Sequence, residues 1–136
     1  MSDWDMMIPL MVFTRIKQNF SQTIKDKYSM TDKNFSTVGS SDTPAVFPFV
    51  YVQTLPGSEQ GMDMQGISVN AGLFAFQIDV YSNKTQSEAR TVMSEVRRIM
   101  KEMGFECNQM PSFENTRDVH RMTARFRRVI GGGDKL

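Results

Sequence analysis

Between residues 120 and 130, arginine returns on alternate positions: Arg121, Arg125 and Arg127, with Thr123 between them. On an extended strand, residues two apart share a face, so these side chains form a ladder of guanidiniums. Met122, Ala124, Phe126 and Ile130 fill the other positions and suit a core, the pattern of a half-buried antiparallel strand. Guanidiniums are planar, permanently charged donors matched to carboxylates and phosphates, and like charges in a row need something anionic opposite them. Two readings follow. Either the ladder pairs across strands with Asp79 and Glu106, or it meets a neighbouring subunit's acids or passing DNA. Arg128 falls on the inward side, but near enough to the strand end to reach solvent.

Catalytic chemistry finds little to work with. Cys107 and His120 fall on neighbouring strands, so a thiol–imidazole pair is spatially possible, yet a structural role is the expectation. One cysteine and one histidine cannot supply a zinc site of the usual ligand count. Glu59 and Asp63 make a candidate carboxylate pair, but in a glycine-rich loop a solvated pair is expected. The glycines Gly131, Gly132 and Gly133 have no helix behind them and form no phosphate loop. No catalytic, cofactor or metal site is therefore assigned, and the expectation is a chain that is not an enzyme. Arg90, Arg97, Arg98 and Lys101, interleaved with Glu95 and Glu102, read as a solvated helix face.

The elements that carry these residues are legible from periodicity. Pro9 is placed to open a helix, and Val12, Ile16, Phe20 and Ile24 follow at spacing four, predicting a helix over 9–28. A short strand is expected over 34–38, a turn over 40–44, and a strand over 46–55 with Pro48 at an edge or bulge. Residues 56–70 lose periodicity and carry Gly57, Gly61 and Gly66, predicting a long loop or an extended hairpin. The strand over 71–81 turns Phe74, Phe76, Ile78 and Val80 inward and Gln77, Asp79 and Tyr81 outward. Thr85-Gln86-Ser87-Glu88 has the capping-box pattern of a second helix, whose stripe runs from Ala89 to Met103 and whose left-handed cap is Gly104. Strands over 105–113 and 119–130 close the chain. The order α-β-β-β-α-β-β predicts an α+β fold: a mostly antiparallel sheet of four to five strands with two helices packed on one face.

Composition bounds the function. The 136 residues suit a single domain over 1–136, with flexible ends at 1–6 and 131–136. A formal charge of +1 argues against a dedicated nucleic-acid binder, which would rely on many phosphate contacts. A lone cysteine excludes an intrachain disulfide and points to a reducing compartment. The acidic start, and the lack of any apolar run of membrane-spanning length, predict no signal peptide and no membrane partner. Twelve methionines are many, and Met62 and Met64 in the 56–70 segment suit an adaptable binding surface.

Several short signatures then occur in one order. They are Phe13-Thr14-Arg15-Ile16, Phe47-Pro48-Phe49-Val50-Tyr51, Asp79-Val80-Tyr81-Ser82-Asn83-Lys84, Met103-Gly104-Phe105 and Arg121-Met122-Thr123-Ala124-Arg125-Phe126-Arg127-Arg128. Over residues 9–130 the chain resembles the small tail terminator, or tail-completion, proteins of the neck in long-tailed phages and prophages. The methionine-rich start and the 62–70 segment lie outside the shared pattern. The resemblance implies a virion protein assembled in the host cytoplasm. It would form a homo-oligomeric, commonly hexameric, ring that caps the head-proximal end of the tail tube and stops its polymerisation. Partners would be the tail-tube protein, the head-tail connector or head-closure protein, and genomic DNA passing transiently through the lumen; no cofactor is implied. Arg121, Arg125, Arg127, Asp79 and Gln77 would then lie at a subunit interface or the lumen. Glu59, Met62, Asp63, Met64 and Gln65 would dock on the tube or connector. The alternatives are another neck component, such as a head-closure or adaptor protein, a small-ligand-binding α+β domain, or an RNA-binding sheet. The last needs outward stacking aromatics, whereas Phe74 and Phe76 turn inward.

Overall fold

A computed structural model describes residues 4–37, 46–62, 69–113, 119–131 and 136. Among these residues three α-helices, α1 (Trp4–Asn19), α2 (Gln22–Tyr28) and α3 (Gln86–Glu102), and a 3-10 turn at Asp32–Asn34 pack with five strands: β1 (Phe35–Ser36), β2 (Phe49–Met62), β3 (Val69–Ser82), β4 (Glu106–Phe113) and β5 (His120–Gly131). The strands form one sheet in the order β1-β2-β3-β5-β4. Every pairing is antiparallel except β1 with β2, so the sheet is mixed and the class is α+β, as the element order predicts.

The core lies between one sheet face and the helices. Ile8, Val12, Ile16 and Phe20 of α1 and Ala89, Val92, Val96 and Ile99 of α3 close over Val50, Ile78, Val80, Phe126 and Ile130. Phe20 meets Phe35 edge-on at 5.3 Å, and Phe76 meets Phe105 at 5.5 Å. Each such side chain contributes about 1.5–3 kcal/mol by leaving water. α3 lies over β3, β5 and β4, with α1 alongside it.

Local chemistry sets the ends of α3. The Thr85 hydroxyl accepts from Glu88 N–H at 3.1 Å, while Thr85 N–H donates to Ser82 Oγ at 3.4 Å, so half of the expected capping box is formed. At the other end Gly104 adopts φ +81, and its N–H and that of Phe105 donate to Lys101 and Met100 carbonyls, each at 2.9 Å. This is a Schellman cap, which only glycine enters without a Cβ penalty. Arg128 donates to the Met103 carbonyl at 2.6 Å. The inward-side arginine thus turns onto a helix C-terminus, where a cation is favoured.

Two expectations are corrected. The first helix starts at Trp4, five residues before Pro9, which sits inside it. It then breaks at Phe20–Ser21 instead of running to Tyr28. The break is held from α3: Ser21 N–H donates to Glu95 Oε2 at 2.6 Å, and Arg98 donates to the Asn19 carbonyl at 3.0 Å. The Lys17 carbonyl, which an unbroken helix would pair with Ser21, accepts from Lys25 Nζ at 2.8 Å. Of the two forms expected for 56–70, the extended hairpin is the one seen: β2 and β3 pair as far as Met62 and Val69. The register shifts between Leu55 and Ser58, and a Cβ on Gly57 would collide with the Leu73 carbonyl, so glycine permits this close approach.

Candidate functional site

The face of β3 and β5 turned away from the core gathers the predicted residues around one buried carboxylate. The register sets Gln77 opposite Arg125, Asp79 opposite Thr123 and Tyr81 opposite Arg121. Asp79 is only 1% exposed. Its Oδ1 accepts from the Thr123 hydroxyl at 2.8 Å and from Gln77 Nε2 at 3.3 Å; its Oδ2 accepts from Arg121 Nη2 at 3.0 Å. Gln77 Oε1 in turn accepts from Arg125 Nε at 3.1 Å. One acid therefore fixes Arg121 directly and Arg125 through an amide. The Arg121 guanidinium also lies 5.8 Å from the Tyr81 ring centre, a cation–π contact.

Arg127 is held more loosely. Its Nε is 3.5 Å from Glu106 on edge strand β4, and both side chains are about half exposed or more. A pair of that kind is worth under about 1 kcal/mol. Cross-strand pairing with Asp79 and Glu106, one of the two sequence readings, is thus formed for Arg121 and Arg127. The cluster of Arg121, Arg125 and Asp79 keeps one net positive charge on a rigid surface.

Other candidates separate. Cys107 lies opposite Phe126, whereas His120 lies opposite Ser82, six residues along β5 and roughly 20 Å away at strand rise. The spatially possible thiol–imidazole pair is not formed. Among the docking candidates, Glu59 and Met62 fall on β2, and Asp63, Met64 and Gln65 lie outside the described residues. Among the described residues, no group of three or more His, Cys, Asp and Glu is placed to hold a metal. No described helix is long and apolar enough to cross a membrane.

The helix face read as solvated is partly built in. Glu95 is buried and accepts from Arg98 Nε at 2.7 Å and Nη2 at 2.8 Å, while Arg98 also reaches Glu102 at 2.6 Å. Hydrogen bonding from Arg98, joined by Ser21 N–H, holds the Glu95 carboxyl below its ordinary range against the opposing push of burial. Sequence reasoning also missed a groove of about 250 Å³ between α3 and β4, lined by Arg90, Met93, Arg97, Met110, Pro111 and Met122. The available signal was the seven-residue spacing of Arg90 and Arg97, which puts both on one helix flank.

No family model matches this chain, and no curated protein does. Among solved structures it is similar to a chain in the virion of the native gene transfer agent (GTA) particle. Identity is 12% with a TM-score of 0.51, over 89% of this chain and 92% of that one. The two share a fold along almost their whole lengths.

Proposed function

We propose that this chain is a structural virion protein: a tail terminator that forms a ring on the head-proximal end of the tail tube, stops tube growth and joins the tail to the head connector. The observation that carries this reading is the fold shared, nearly end to end, with a chain of a virion particle. The ordered signatures from Phe13 to Arg128 support the finer assignment to the tail terminus. Arg121 and Arg125, fixed by Asp79 and Gln77, and Arg127 serve as a subunit contact or lumen surface. A lumen that DNA must traverse should hold it weakly, and a cluster of one net charge suits that better than a strongly basic belt. The β2–β3 hairpin, with Glu59 and Met62, docks on the tube together with Asp63, Met64 and Gln65, which follow in sequence. Its partners are further copies of itself, the tail-tube protein and the connector or head-closure protein, and its chemistry is assembly rather than catalysis.

The test is the mass of the purified chain in solution together with negative-stain images, alone and mixed with tail-tube protein. Rings, free or on tube ends, are expected. A monomer that never joins tube ends overturns the assignment and moves the chain to another neck component.

A further inference from the structure

We infer that copies of this chain join head to tail, the exposed methionine flank of α1 in one copy seating in the α3–β4 groove of the next. The inference rests on the ring reading above and names the two surfaces that would build the ring.

The first surface is apolar and exposed. From Met6 to Thr14 the chain carries no charge. Ile8, Val12 and Ile16 account for the buried side of α1, yet Met6, Met7, Leu10 and Met11 remain 76%, 51%, 57% and 43% exposed. Positions 6, 7, 10 and 11 share one flank over consecutive turns, so they form a single patch rather than scattered contacts. Four such side chains approach the few hundred Å² at which a contiguous apolar patch marks an interaction site. Methionine adapts to an irregular partner surface.

The second surface matches it in chemistry. The groove offers Met93, Met110, Pro111 and Met122 as apolar lining, and Met110 is 67% exposed on edge strand β4. Arg90 and Arg97 line the same groove, and no acid is among the described residues that line it. Arg97 Nε is buried without a hydrogen-bond partner among the described residues. In sequence the α1 patch follows Asp3 and Asp5, with no cation before Arg15. A methionine-rich flank that two acids precede in sequence is thus matched to a methionine groove with arginines. A like asymmetry runs through the sequence: no lysine or arginine occurs between Lys33 and Lys84, the span of β1 to β3, whereas α3, β4 and β5 taken together carry more cations than acids.

The end of the helix that carries the first surface and the groove also lie on different flanks of α3. Glu95 and Arg98 on one flank of α3 reach the α1–α2 junction, and Arg97, about 160° away from Glu95 around the helix, lines the groove on the other. Two different patches make a heterologous contact, which repeats in one sense and closes into a ring when the rotation allows. An isologous dimer would pair one patch with itself.

Two variants of the full chain test this, Leu10→Glu on the flank and Met110→Glu in the groove, both at exposed positions. Each is expected to keep the wild-type circular dichroism and to sediment as a monomer where the wild type forms rings. An equimolar mixture retains one good flank and one good groove, so it should stop at a one-to-one dimer. Rings from either variant alone overturn the inference and leave the ring reading standing; a wild type that is monomeric both alone and on tube ends overturns both. A cross-link independent of these substitutions uses Cys107→Ser with Met7→Cys and Met110→Cys. Oxidation of its assembled rings should give a ladder of linked copies, and rings without such links contradict the inference.

Discussion

Replacing Glu95 by alanine removes the contact that ties the α1–α2 break to α3. The carboxylate takes three hydrogen bonds, from Ser21 N–H at 2.6 Å and from Arg98 at 2.7 and 2.8 Å. The Arg98 side chain is 46% exposed, so solvent discounts its ion pair to about 1 kcal/mol or less. Leaving the partly buried Ser21 N–H without its acceptor costs about 1–3 kcal/mol more. The expected loss is about 3 kcal/mol, a fall in Tm of roughly 10–15 °C for a chain of this size. Glu95→Gln keeps an oxygen for Ser21 and should cost about half as much. Urea denaturation followed by circular dichroism reads this as a lower midpoint at unchanged slope. The pH dependence has a definite sign. Because the folded carboxyl titrates below its ordinary 4.5, its stabilisation is complete above that value and is lost as pH falls through the folded pKa. The gap between wild type and Glu95→Gln should therefore be full at about pH 7 and close in strong acid. An alanine variant within about 0.5 kcal/mol of wild type, or a gap constant down to about pH 3, would refute this account of the break.

Asp79→Ala strips the shared acceptor from Thr123, Gln77 and Arg121, and a loss of about 3 kcal/mol by denaturation is expected; a near-neutral result would show that the cluster contributes little to the fold. Arg125→Glu changes an exposed side chain and should alter stability by about 0.5 kcal/mol or less while impairing ring assembly or DNA passage. An unchanged yield of infectious particles would remove Arg125 from the functional surface. Replacing residues 57–67 by a short turn should leave the core folded but abolish tube capping, so normal-length, head-attached tails from that variant would show that the hairpin does not dock.

Local determinants made part of this fold readable. α3 could be bounded at both ends because Thr85, the buried stripe and Gly104 all lie within it or beside it. The alternation of β3 and β5 exposed which face each side chain takes. The α1–α2 break was hidden because its cause, Glu95, lies 74 residues away from Ser21. β2 was read only as far as Leu55 because the Pro56–Gly57 irregularity interrupts its alternation, and pairing with β3 carries it on to Met62. At the candidate site, types and faces were legible, but partners were not. Only the β3–β5 register decides that Asp79 meets Thr123 squarely and Arg121 diagonally, and that Gln77 stands between Asp79 and Arg125. The groove was missed for the same reason, since Arg97 and Met110 become neighbours only when α3 lies over β4.

The central claim is that this chain ends a tail tube. Its most direct test is the length of tubes assembled from tail-tube protein with and without it, imaged by electron microscopy. The account predicts rings at one end only and tubes that stop growing once capped. Tubes that lengthen equally in its presence, with bare ends, would contradict it.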